Sequence, residues 1–170
     1  CYCKSVAWWE QSKEKCKYQW IYYLKNLTKE FKPRTVTFLF KDNLLLLGYK
    51  KRGFGKGNLL GIGGKVEEGE TIEQAAIREL QEEIDIKPDT LTPRGILNFY
   101  FPHVEDESWN QQVHIFITTS WQGEPNESDE IKPQWFICNE IPYEKMWDDA
   151  KYWLPHILAN KIIEANFFFN

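Results

Sequence analysis

The sequence predicts an α/β protein, an α+β sandwich in which a mixed β-sheet is flanked by helices, with an N-terminal helical extension. Three observations lead there. Strand-like runs with period-two alternation recur from Arg34 to Cys138. A glycine-punctuated turn, "GIGG", leads into an amphipathic helix that carries its own N-cap. A second helical pattern follows near the end of the chain. Strands and helices mixed irregularly around one glycine loop suit a sheet covered by helices.

The elements follow in order. Residues 4–31 read as a helix, with an apolar stripe at Trp20, Tyr23, Leu24, Leu27 and Phe31, and Pro33 ends it. "RTVTFLF" and "NLLLLGY" flank "KDN" as a β-hairpin. "KKRGFGKGN" is a basic, glycine-rich loop. The next helix begins near Thr71, because Thr71 and Gln74 have capping-box spacing and Ile72, Ala75, Ala76, Leu80 and Ile84 define one face. Pro88 and Pro93 bound a loop. "GILNFYF", "QVHIFITTS" and "QWFIC" read as strands, the first two separated by the acidic loop "VEDES". "DDAKYWLPHILANKIIEA" reads as a helix with Pro155 in its first turn or at a kink, and "NFFF" as a last strand.

At 170 residues, 42% of them hydrophobic, one domain can bury a full core. The mean hydropathy of −0.55 and the lack of a long apolar run exclude a helical membrane span. Residues 1–34 hold eight Lys/Arg against three Glu, so the remainder carries −9 within a total of −4. Because those basic residues are dispersed, the segment reads as a solubilising extension before a nucleic-acid or membrane contact. The expected division is a basic helical extension over 1–33 and a folded domain over 34–170. Cys1, Cys3, Cys16 and Cys138 suit free thiols in a reducing compartment better than a zinc site. A chain that opens at Cys1, with Met146 its only methionine, reads as a processed product or fragment. No secretory signal is visible, and the expected location is the cytoplasm, with mitochondrion or nucleus as alternatives.

The stretch that carries chemistry is "GIGGKVEEGETIEQAAIRELQEEIDI". Glu79, Glu82 and Glu83 fall within an arc of roughly 100° on the helix. Such acids repel one another and oppose the dipole at a helix C-terminus. A hard divalent cation with polyphosphate oxygens reverses both penalties, whereas a plain solvated face leaves them standing. Gly61, Gly63 and Gly64 allow close backbone approach to a ligand. Lys65, with Lys50, Lys51 and Arg52, can meet phosphate charge, and Arg78 can hold the carboxylates in register.

The stretch resembles the Nudix box, G-x5-E-x7-R-E-U-x-E-E-x-G-U, with Gly64, Glu70, Arg78, Glu79, Leu80, Glu82, Glu83 and Ile86 in register. Asp85 stands where the pattern has glycine; Asp tolerates the left-handed conformation a helix C-cap needs. "GYKKRGFGKG", "GGKVEEGETIEQ", "ESDEIKPQWF", "IPYEKMWDD" and "YWLPHIL" extend the resemblance to the MutT-homologue branch, the oxidised purine nucleoside triphosphate hydrolases or 8-oxo-dGTP diphosphatases. It covers about residue 34 to the end.

The resemblance implies a Nudix fold and a monomeric, Mg²⁺-dependent enzyme, Mn²⁺ substituting. It would release a nucleoside monophosphate and pyrophosphate from purine nucleoside triphosphates and so sanitise the nucleotide pool, without direct nucleic-acid binding. It implies metal ligation by Gly63, Glu79, Glu82, Glu83 and Glu130, one glutamate serving as base, and a Glu70–Arg78 scaffold salt bridge. It implies a nucleotide site of Thr35, Lys50, Phe54, Leu60, Ile62, Gly63, Gly64, Lys65, Phe99, Phe101, Trp147, Asp148, Asp149 and Ala150. Trp147 would stack on the base and Asp149 would bond its edge; Phe99 and Phe101 read equally as strand core, and Trp153 and Phe169 as structural. Leu60 replaces an asparagine and Ala150 a second aspartate. Those departures imply relaxed or altered purine selectivity. The competing readings are a Nudix hydrolase of methylated or otherwise modified purine nucleotides, and a non-catalytic Nudix-fold subunit whose extension contacts a larger complex.

Overall fold

The computed structural model describes residues 31–101, 104 and 109–169. The expected N-terminal helix, its three cysteines and most of the "VEDES" loop lie outside the described residues.

The sheet has seven strands. These are β1 (Lys32–Lys41), β2 (Leu44–Lys50), β3 (Leu59–Leu60), β5 (Thr92–Tyr100), β6 (Gln111–Thr118), β8 (Ile131–Ile137) and β9 (Ile163–Phe168). The path runs β3-β2-β1-β6-β5-β9, with β8 also on β2. Strand β1 pairs parallel with β6 and β5 with β9; the other pairings in this sheet are antiparallel. A separate small ribbon joins β4 (Lys87–Pro88) to β7 (Trp121–Gln122). Helix α1 (Ile72–Ile84) covers one face and α2 (Ala150–Leu158) the other.

Alternation along β1 sends Thr35, Thr37 and Leu39 to one face and Val36, Phe38 and Phe40 to the other. Beneath α2, Phe38, Leu45, Leu47, Leu97 and Ile115 meet Trp153, Leu154 and Ile157. Beneath α1, Leu39, Leu46, Ile62 and Ile131 meet Leu80, Ile84 and Ile86. Each such side chain contributes roughly 1.5–3 kcal/mol of burial, and Leu80→Ala would cost about 2–5 kcal/mol.

The expected hairpin is present, turning at Asp42–Asn43 with Asp42 at φ 54°. Its strands diverge after Leu46. There β3 pairs with Gly48 and Tyr49 of β2, and the following glycine turn bridges to β1 through Thr37 and Ile62. The glycine turn is thus built into the sheet and faces the C-terminal half of α1.

Helix α1 begins as expected. Thr71 accepts from the Gln74 N–H, and the Gln74 side chain accepts from the Thr71 N–H. It ends on Asp85 in the left-handed conformation (φ 60°, ψ 34°), and the Asp85 and Ile86 N–H groups close onto the Gln81 and Leu80 carbonyls. Asp therefore fills the glycine position of the motif without breaking the cap.

Three expectations need correction. The terminal helix stops at Leu158; Asn160 turns left-handed at φ 57°, and the chain from Ile163 joins the sheet beside β5. The pairing offered by β5 outweighs the helical periodicity of 159–165. Pro33 lies inside β1, near its start, where a missing N–H is tolerated. Pro88 and Pro93 lie within β4 and β5 and do not bound a plain loop.

Candidate active site

Two backbone contacts set the glycine turn. Thr35 N–H donates to the Gly64 carbonyl at 2.9 Å, and Thr37 and Ile62 exchange two bonds. A Cβ on Gly63 would come within 2.1 Å of the Thr35 carbonyl oxygen, so this approach of two backbones needs glycine. A Cβ on Gly64 would meet Glu79 Oε1 at 2.3 Å, because the Glu79 carboxylate lies against that Cα. Gly63 N–H donates to Glu83 Oε2 at 3.1 Å. The turn and α1 therefore share one surface.

Glu79, Glu82, Glu83 and Glu130 line a cleft of about 370 Å³ with Arg52, Ser128 and Asp129. The distant acid of "ESDE" is thus brought to the helix acids by the antiparallel pairing of β8 with β2, which places Lys50 opposite Ile131. A hollow of about 430 Å³ on the outer side of α1 contains only Glu82 of these acids.

Cations hold the carboxylates apart. Arg78 bonds Glu70 through Nε at 2.6 Å and Nη2 at 3.0 Å, and its Nη1 reaches Glu79 and Glu82, both at 3.0 Å. Its Nη2 also donates to the Lys65 carbonyl at 2.9 Å. Lys50 Nζ lies 2.9 Å from Glu130 Oε2 and 3.5 Å from Glu83 Oε1; Arg52 reaches Glu130 Oε1 at 3.2 Å. Arg78 thus pairs with Glu70 and touches both Glu79 and Glu82.

The environments differ. Burial pushes the Glu83 carboxyl up to about 7, against the opposing charge of Lys50 and the Gly63 N–H. Burial also raises Glu79, against Arg78. The hydrogen bond and charge of Lys50 hold Glu130 low. Burial disfavours the Lys50 charge, but its carboxylate partners outweigh that and raise it.

Among the described residues no three His, Cys, Asp or Glu side chains are gathered closely enough to hold a metal ion as they stand. The donor set nonetheless fits a hard divalent ion: oxygens only, on one open cleft, with the Lys50 ammonium bridging Glu83 and Glu130 where positive charge is favoured.

The base-binding candidates lie mainly on the α2 side. Phe54, on the loop after β2, is exposed and stacks on Trp147 at 5.3 Å and 22°. Asp149 is 5% exposed; burial raises its carboxyl, which accepts from Trp153 Nε1 at 2.8 Å. Ala150 is buried at the first turn of α2, and Asp148 is exposed. Phe99 and Phe101 pack on Phe169 at 5.8 and 5.0 Å, and Phe99 borders the α2 core.

Other candidates sit elsewhere. Thr35 is buried on the α1 face, its hydroxyl without a hydrogen-bond partner among the described residues. Ile62 is core, and Lys65 is exposed. Leu60 packs against the α1 cluster while its neighbour Leu59 joins the α2 cluster. Sequence reasoning did not single out Ser128, Asp129 or Trp109. Trp109 contacts Phe54 at 6.3 Å and Phe101 at 5.8 Å, and its only signal was a large aromatic beside a polar loop.

Comparison with known proteins agrees with this construction. The chain is 47% identical over 127 residues to an oxidized purine nucleoside triphosphate hydrolase of Danio rerio, covering 75% of this chain and 80% of the relative. It is 44% identical over 138 residues to the protein of the same name in Mus musculus, covering 79% and 85%. The crystal structure of a MutT protein of Bacillus halodurans superposes with a TM-score of 0.72 at 24% identity, over 82% of this chain and 91% of that one, and shares its fold. The NUDIX domain matches residues 30–157, and this chain belongs to the Nudix family.

Proposed function

We propose that this chain is a Mg²⁺-dependent hydrolase of oxidised purine nucleoside triphosphates. It adds water across the phosphoanhydride to give a nucleoside monophosphate, pyrophosphate and a proton, and so clears damaged purines from the nucleotide pool. The observation that carries the reading is the gathering of Glu79, Glu82, Glu83 and Glu130 on one cleft, two of them, Glu83 and Glu79, lying against Gly63 and Gly64 of the glycine turn. The names of the zebrafish and mouse relatives support the substrate class.

Gly63, Glu79, Glu82, Glu83 and Glu130 would hold the ion, and Mn²⁺ would substitute. When bound, the ion neutralises polyphosphate charge and lowers the pKa of water. The protein's own contributions are separable. Arg78, gripped by Glu70 through Nε and Nη2, donates from Nη1 to both Glu79 and Glu82, so their oxygens need little reorganisation when charge develops. Lys50, already drawn to the acids, is placed to swing onto phosphate oxygens. One of the four glutamates, left free of the ion, would take the proton of the attacking water. Trp147 offers a face to the base and Asp149 a buried carboxyl to its edge. The residues from 34 onward form the catalytic domain and act as a monomer.

Incubation with Mg²⁺ and a purine and pyrimidine triphosphate panel, read as pyrophosphate, tests this. Release from 8-oxo-dGTP or 2-hydroxy-dATP in preference to pyrimidines, abolished by EDTA, is expected. No release from any purine triphosphate overturns it.

A second reading rests on Leu60 and Ala150. Neither side chain can hydrogen-bond a purine, so the pocket selects by shape and accepts other modified purines. The same panel, extended to methylated purines, separates the two.

A further inference from the structure

We propose that Trp109 is a further base-binding residue, the outer wall of an aromatic clamp in which Phe54 lies between Trp109 and Trp147. The inference rests on the reading of Trp147 as the base platform.

Phe54, Trp109 and Trp147 are 72%, 43% and 42% exposed and come from three separate segments, yet Phe54 contacts both tryptophans. Large aromatic side chains gathered at the surface mark a ligand or partner site more often than a core. Their neighbours join them to the candidate site: Asp149 lies two residues beyond Trp147, and Phe101 meets Trp109 edge-on at 70°.

Trp109 is anchored. Asn110 is 2% exposed, its side-chain oxygen accepts from the Phe101 N–H at 2.9 Å, and its carbonyl accepts from the Lys32 N–H at 2.9 Å. Trp109 therefore stands two residues before β6, on a backbone held through its neighbour Asn110.

Phe54 stands on a glycine-flanked turn and is 72% exposed. It sits between Gly53 (φ 73°) and Gly55 (φ 82°), and Gly55 lies against the Trp147 ring, where a Cβ would be 3.4 Å from Cζ2. A base sandwiched between two rings needs their planes about 7 Å apart, since stacked carbons approach to about 3.5 Å. The Phe54–Trp147 spacing is 5.3 Å. A base that stacks on this face of Trp147 must displace Phe54. The Trp109 ring, edge-on to Phe54 at 86°, is the surface against which the displaced ring closes.

The test compares Trp109→Ala, Trp109→Phe and Trp147→Ala for kcat and KM on 8-oxo-dGTP and dGTP. Trp109→Ala is expected to raise KM for 8-oxo-dGTP about five- to tenfold, with kcat within about twofold. Trp109→Phe is expected to restore most of the loss. If Trp147→Ala raises KM and Trp109→Ala does not, the clamp is overturned while the base platform stands. If neither raises KM, the platform itself falls, and the clamp with it. Should Trp109→Ala not fold, the wild-type protein decides through its indole N–H signals. A shift of the Trp109 signal on adding an α,β-methylene purine triphosphate, but not pyrophosphate, supports the clamp. An unmoved Trp109 signal beside a moving Trp147 signal overturns it.

Discussion

Gly63 donates its backbone N–H to Glu83 Oε2 at 3.1 Å, tying the glycine turn to the penultimate residue of α1. The bond brings a carboxylate into a position only 7% exposed, where burial pushes it up to about 7 from an ordinary 4.5. Between those values the folded protein keeps a proton that the unfolded chain has released. Stability therefore falls as pH rises through this window. Thermal melts in EDTA should show that decline in the wild type, of order 2 kcal/mol. In Glu83→Gln, which cannot ionise, the decline should flatten. Added Mg²⁺ should raise the melting temperature of the wild type at pH 8 and do so less for the variant. Turnover of Glu83→Gln should drop at least about a hundredfold; unchanged turnover would remove Glu83 from the reaction.

Adjacent glycines should respond differently to the same methyl group. At Gly64 the new Cβ meets the far end of Glu79, which can rotate away, so Gly64→Ala should fold but lose activity by more than about tenfold. At Gly63 it meets the Thr35 backbone, which is pinned into β1 by the bond to Gly64. Gly63→Ala should therefore cost about 2 kcal/mol or more of stability. Denaturant melts with pyrophosphate assays separate the two; equal stability losses would refute the distinction.

Much of this site was legible because its signals are local. Thr71 and Gln74 cap α1 at the expected spacing, Asp85 closes it, and the acids fall on the expected arc. Glu130 was placed only through resemblance, since nothing local ties it to Glu83; the β2–β8 pairing does that. The terminal strand was misread in extent because periodicity cannot sense β5 waiting as a partner. The direction of Leu60 was equally hidden, as a two-residue strand carries no alternation to read. Trp109 went unnoticed for the same reason, its meaning lying in Phe54, which is distant in sequence.

Asp149 offers a separable test of the base side. Asparagine at this position can still accept from Trp153 Nε1, so Asp149→Asn should change stability by less than about 1 kcal/mol. It removes the ionisable group that burial favours in its protonated, donating form. KM for oxidised purine triphosphates should rise about tenfold, with kcat for a pyrimidine triphosphate unaffected. An unchanged KM would place Asp149 in the structural set with Trp153.

Selectivity follows from what Leu60 and Ala150 lack. A site that reads a base by buried hydrogen bonds rejects the wrong one by large factors, whereas shape alone gives about 10- to 200-fold. The ratio of kcat/KM for 8-oxo-dGTP over dGTP should lie within that lower range. Restoring the polar readers should not be symmetrical. Ala150 opens α2, where the helix dipole favours a carboxylate, but it is 2% exposed in the α2 core beside Asp149. The dipole offsets only part of the cost of burying a second acid, so Ala150→Asp should lose some stability while it increases the ratio. Leu60 packs with Leu39, Leu46 and Ile62, so Leu60→Asn must bury an amide in an apolar cluster at about 1–3 kcal/mol. That variant should lose stability before it gains selectivity. A ratio far above the shape-only range in the wild type would mean that other groups, with Asp149 foremost, already read the base, and that Leu60 and Ala150 lie outside the contact.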